Sequence, residues 1–212
     1  MHRLTRTASG LTKGEYQMLQ KLSTPVKIQD FLDALPMNFE EGGDTHRSPR
    51  AVLAARKAHC IEGAMLAATA LWITGERPLI MNLSARMGRG DVDHVIALYR
   101  RGGAWGAVSK TNHAVLRFRD PIYRSLRELA ASYFNEWFLP SGEKTLECYS
   151  RQLDMRRFGT AWITAEKDLW EVADVLSELP HANLVPRGNW RYVRTADSME
   201  RKAGLFTEWR KA

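Results

Sequence analysis

The chain predicts an α+β fold, and three observations carry that reading. Helical periodicity fills the first third, strand-like segments follow around a glycine turn, and helical patterns return afterwards. With 212 residues, 44% of them apolar and 26% charged, it suits one soluble domain with a full core. The expected layout is a single domain over 1–212, its core about 25–150 and a helical extension about 151–212.

Residues 1–11 read as a flexible arm; Arg3 and Arg6 lead into no apolar stretch, so no secretory signal is expected. Helix follows from Lys13 to Leu22. Thr24-Pro25 starts another, because threonine caps orphan amides and proline suits the first turn. Its apolar positions Val26, Ile28, Phe31, Leu32 and Leu35 recur at helical spacing, and Pro36 ends it. Met37 to Arg47 reads as a loop around Gly42-Gly43-Asp44. Ser48-Pro49 repeats the start signal, and Ala51 to Thr74 is strongly helical, with His59-Cys60 as an interruption and Gly75 as the stop.

The texture then changes. Leu79 to Leu83 and Val92 to Tyr99 are strand-like, Arg101-Gly102-Gly103 is a turn, and Trp105 to Ser109 is the returning strand. Val115 to Arg119 reads as a further short strand, with Arg117 and Arg119 alternating along it. Helices are expected from Arg124 to Trp137, Leu169 to Leu179 and Ser198 to Trp209, the last packing through Leu205, Phe206 and Trp209. Trp137, Trp162 and Trp170 read as core, and Cys148 as a buried strand residue.

The net charge of +7 would favour acidic partners. Its lysines and arginines are scattered, however, which fits a solvated basic exterior better than a nucleic-acid surface. The longest apolar run, Gly63 to Thr74, is too short to cross a bilayer, so no membrane association is expected. The two cysteines, Cys60 and Cys148, lack metal-ligand spacing. They are expected as free thiols in a reducing cytoplasm, with no metal and no organic cofactor.

Cys60 stands where a helix begins, and the positive end of the helix dipole favours a thiolate there. His94, within the otherwise apolar strand expected from Val92 to Tyr99, is the expected base. His59 is the poorer partner if both neighbours lie on one helix, where adjacent side chains diverge. A third polar group must orient the imidazole.

The segment from Arg56 to Ala64 around His59-Cys60-Ile61-Glu62, the Asp93-His94-Val95 strand and the Trp105-Gly106-Ala107-Val108-Ser109 return resemble the transglutaminase-like superfamily of the papain-like cysteine class. A bacterial branch of it is similar over about Lys27 to Ser150, including Lys110-Thr111-Asn112-His113 and Arg117 to Tyr123. The resemblance implies a Cys-bearing helix on a small antiparallel sheet and a Cys, His, Asp order of catalytic residues. Here the Asp position holds Ser109, which brings no charge. Asn112, then Ser109, then Asp120 are the candidates for the third role. The Cys60 amide, with Gln29 or Asn38, could supply an oxyanion site, although both side chains read more naturally as surface or capping groups. Asn38, Trp105 and His113 are candidate substrate-binding residues.

The resemblance implies a thiol-dependent hydrolase or acyltransferase acting on an amide or peptide substrate. A catalytically inactive module that binds a protein or peptide is the alternative, motivated by Ser109; a basic nucleic-acid binder is the weaker one.

Overall fold

A computed structural model describes residues 2–207. Helices α1 (Arg6–Ser9), α2 (Lys13–Lys21), α3 (Pro25–Ala34), α4 (Pro49–Ala55) and α5 (Cys60–Thr74) come first. Strands β1 (Leu79–Ala85), β2 (His94–Arg101), β3 (Ala104–Val108) and β4 (Arg119–Tyr123) follow, then α6 (Leu126–Phe134). The rest supplies β5 (Leu146–Ser150), β6 (Leu153–Asp154), α7 (Trp170–Glu178), β7 (His181–Asn183) and α8 (Ser198–Gly204), with short 3-10 turns between.

The helix starts are where the side chains put them. Thr12, Thr24, Ser48 and Ser125 each accept a hydrogen bond from an amide in the first turn of the helix they precede, with proline following at α3 and α4. Helix α5 is buried along nearly its whole length and ends on Gly75 at a φ of 101°, a left-handed conformation that suits glycine.

The strands form one antiparallel sheet in the order β4-β3-β2-β1-β5-β7, with β6 pairing β1 beyond β5. One face packs Ile80, Val95, Ala97, Tyr99 and Val108 against α5. The other packs Leu79, Met81, Leu83, Ile96 and Leu98 against α6. Cover on both faces explains why β1 and β2 read as nearly continuous apolar runs. The fold is therefore α+β with a small antiparallel sheet and several helices.

Several expectations are corrected. Residues 2–11 are no arm: Thr5 caps α1, and Leu4 and Leu11 are buried in the core. The strand expected at Val115–Arg119 begins instead at Arg119. Leu116 is drawn into the core while Arg117 ion-pairs Asp33 at 3.5 Å. Trp170 is 47% exposed and lies against His46, while Trp137 and Trp162 are core. Cys148 is only half-buried, since it lies near the edge strand β7. Leu205 and Phe206 are exposed beyond α8, and Trp209 lies outside the described residues. The segment after residue 150 is no helical appendage either, for it contributes β6 and β7 to the sheet.

Asp154, on β6, pairs with Arg77 at 2.9 Å and Arg156 at 2.6 Å. Burial works against its charge, but hydrogen bonds from Arg156 and Arg77 outweigh it and lower the carboxyl from 3.8 to about 2. A depressed carboxyl stabilises the fold above its free pKa, and that contribution is lost as pH falls through the folded value. The pairs are partly exposed, so Asp154→Asn should cost about 1 kcal/mol or less at pH 7. Urea unfolding at pH 7 and at pH 3 tests this; a deficit of the same size at both pH values would refute the pairing.

Candidate active site

Cys60 is the first residue of α5, and its N–H therefore has no intrahelical carbonyl to bond. Cys60 is half-buried and lines both of two adjoining clefts. One, of about 620 Å³, is walled by Phe39, Glu40, His46, His59, Val95 and Leu176. The other, of about 370 Å³, is walled by His94, Thr111, Asn112, His113, Trp137 and Leu139. Met37, Val92 and Asp93 line both.

His94 opens β2. It shares strand parity with Ile96 and Leu98, which face away from α5. Its place at the strand's end nonetheless puts the imidazole in the second cleft, which Cys60 also lines. On the far side, His94 Nε2 lies 2.7 Å from Ser109 Oγ. The Ser109 hydroxyl donates its one proton to the Leu116 carbonyl at 2.9 Å, so it must accept from the ring. Nε2 thus carries the proton of the neutral ring, and Nδ1 is its unprotonated nitrogen.

Ser109 is itself held firmly. The Gln29 side chain accepts from its amide at 2.9 Å and donates to its carbonyl at 2.8 Å. Gln29 is thus neither a surface residue nor an oxyanion donor but a buried clamp. The β2–β3 ladder ends at Ala97 and Val108, so Ser109 leaves the sheet beside His94. Asn112 falls in the loop beyond, lining the second cleft with no hydrogen bond to His94 among the described residues. Ser109 therefore replaces Asn112 as the group against the imidazole. Asp120 is exposed on β4.

The adjacent histidine was underrated for a specific reason. His59 is the N-cap of α5 with an extended backbone, so the divergence of neighbouring helical side chains does not apply to it. Its Nδ1 lies 3.9 Å from Cys60 Sγ. Its Nε2 lies 2.6 Å from the Thr45 carbonyl, which can only accept, so that nitrogen carries a proton. Glu40 and Glu62 stand 3.4 and 3.6 Å from the same nitrogen.

Glu62 is fully buried and organises the loop over the cleft. It accepts from Thr45 Oγ1 at 2.8 Å, the Arg47 amide at 3.1 Å, the His59 amide at 3.0 Å and Asn38 Nδ2 at 3.3 Å. The other Asn38 Nδ2 contact, at 2.9 Å, is with Thr45 Oγ1. Asn38 is buried in the cleft wall with its donors occupied, so it is not an oxyanion donor. Met37 forms a parallel bridge with Ala58, tying the loop to the approach to α5.

The electrostatics follow from these contacts. Burial alone would raise the Cys60 thiol, but the hydrogen bond with His59 and the nearness of the His94 ring lower it to about 5. For His59, burial opposes the charge, yet the thiolate and Glu62 lift it to about 9. His46, with its ring centroid 5.9 Å from that of His59, is shifted down by burial and then by the His59 charge. Burial raises Cys148.

Of the other candidates, His113 lines the second cleft and bridges to Thr207. Trp105 does not reach either cleft. It sits on β3 opposite Arg100, whose guanidinium covers the ring at 5.3 Å, because its parity turns it away from the start of α5. Arg119 is taken by Glu136 and Ser132, not by an acidic ligand site. Glu62 is the residue that the sequence reading missed, and His59 the one that it set behind His94. The signal was there in a Glu three residues after an N-cap, disguised by histidine in place of serine or threonine. Among the described residues, no cluster of side chains is suited to hold a metal ion, and no helix is long and apolar enough to cross a membrane. Comparison with protein-family models and with curated proteins finds no match for the chain.

Proposed function

We propose that the protein is a thiol-dependent acyl-transfer enzyme of transglutaminase-like fold, with Cys60 as nucleophile and His94 as its base. The supporting observation is a half-buried cysteine at a helix start that shares one cleft with an imidazole anchored by Ser109. The thiolate attacks an amide carbonyl of a peptide or protein, forming a C–S bond while the C–N bond breaks. The Cys60 N–H is placed to stabilise the developing oxyanion. Water or an amine then takes the acyl group. Hydrolysis is the default outcome, since water reaches any open cleft.

The neutral hydroxyl of Ser109 motivates a second reading, a peptide-binding module without catalysis. Alkylation by iodoacetamide across pH separates the two. A thiol near pKa 5 is roughly 90% ionised at pH 6, whereas an ordinary one is below about 1%. Cys60 should therefore react at pH 6 at least about 30-fold faster than Cys148, and Cys60→Ala should abolish that fast phase. His94→Ala should slow turnover of an amide substrate about 100-fold or more. A Cys60 that reacts only above pH 8 would refute the enzyme and favour the binding module.

A further inference from the structure

We propose that His59, not His94, is the imidazolium partner of the resting Cys60 thiolate, and that the two histidines divide the proton traffic of acyl transfer. The inference rests on the thiol reading above and deepens it.

His59 Nδ1 contacts the sulfur at 3.9 Å, and the two rings stand in opposite environments. His94 is backed by a hydroxyl whose proton is already committed to the Leu116 carbonyl. Among the described residues, no carboxylate lies within ion-pair distance of it. His59 is backed by the Thr45 carbonyl at 2.6 Å and by the carboxylates of Glu40 and Glu62. A positive ring is favoured where acceptors and anions converge, and a neutral one where a lone hydroxyl oxygen is the only partner.

Other charged groups around His59 do not reverse this. From α5 come Cys60 and Glu62, and from the loop come Glu40, His46 and Arg47. Arg47 lies 4.0 Å from Glu62, on the side of that carboxylate's other partners. His46 is displaced toward its neutral form, which relieves repulsion between the two rings.

The proton balance then closes with both histidines in use. Thiolate attack breaks the C–N bond, and the leaving amine takes the Nδ1 proton of His59. His94 Nδ1 then accepts the proton of the incoming water or amine as the C–S bond breaks. Solvent returns that proton to His59, regenerating the thiolate pair.

The test is the pH midpoint of iodoacetamide alkylation at Cys60 in the full chain, with circular dichroism confirming that each variant is folded. The wild-type midpoint is expected near 5. His59→Gln should raise it by two pH units or more, and His94→Gln by less than one. Glu40→Gln, at a partly exposed position, should give a smaller rise in the same direction. A large shift in His94→Gln with none in His59→Gln would overturn the division while leaving the thiol enzyme standing. Midpoints that stay below 6 in both variants would also overturn it, assigning the thiolate to the helix terminus alone. A wild-type midpoint above 8 would instead remove the thiol reading itself.

Discussion

Glu62→Ala should lower the stability of the fold by about 3–5 kcal/mol, a loss of roughly 10 °C or more in melting temperature. The carboxylate is fully buried and takes hydrogen bonds from Thr45, Arg47, Asn38 and the His59 amide. Alanine would leave those donors facing a cavity, and buried donors without acceptors are the costly case. The damage should concentrate on the loop between Met37 and Arg47, which Glu62 fastens to the start of α5. Glu62→Gln keeps the volume but turns an NH2 group toward donors, so an intermediate loss is expected. Urea and thermal unfolding measure both; an alanine variant melting within about 2 °C of wild type would show that the carboxylate is not the fastener.

The second large effect is steric. A Cβ at Gly63 would fall on the Cβ of Lys110, an atom fixed to the backbone that no rotamer can withdraw. Lys110 is buried, its Nζ donates to the Leu35 carbonyl, and its neighbour Ser109 is clamped by Gln29. Gly63→Ala gains roughly 1 kcal/mol in helix propensity. Overpacking costs about 1–3 kcal/mol in ordinary cores and more where backbone must move. A net destabilisation of about 2 kcal/mol is expected, visible as a melting point lower by roughly 4–8 °C. Because Ser109 must shift with Lys110, the His94 ring should lose its anchor and alkylation of Cys60 should slow as well. An unchanged melting point would mean that α5 and the Ser109–Lys110 segment are free to separate.

Much of the fold was legible because its signals are local. The Thr24-Pro25 and Ser48-Pro49 starts, the Gly75 stop and the Gly102-Gly103 turn depend on a few neighbouring residues, and each stands where the pattern put it. Strands β6 and β7 escaped notice because they are two and three residues long, too short to show a period. Trp170 was assigned to the core from its size, whereas its exposure depends on where α7 docks.

The site divides in the same way. Cys60 at a helix start and His94 on a strand can be read from flanking residues, although the strand begins at His94 and not at the expected Val92. Ser109 and Asn112 could not be ranked, because strand parity stops being a guide once the ladder ends at Val108. His59 was discounted by assuming that it lay inside the helix that it caps. Glu62 draws its partners from a loop fifteen to twenty-four residues upstream, a distance over which no local pattern speaks.

A cut after residue 150, where the expected core ends, would sever the enclosure around Cys60. Asp168 receives the His46 amide at 2.8 Å, Leu169 returns a hydrogen bond to the His46 carbonyl, and Ser48 is bonded to the Ala165 carbonyl. Helix α7 then supplies Ala173, Leu176 and Ser177 to the larger cleft. The last quarter of the chain is therefore a retaining wall for a cleft that opens beside Cys60, and shortening the polypeptide there would leave that cleft an unroofed trench.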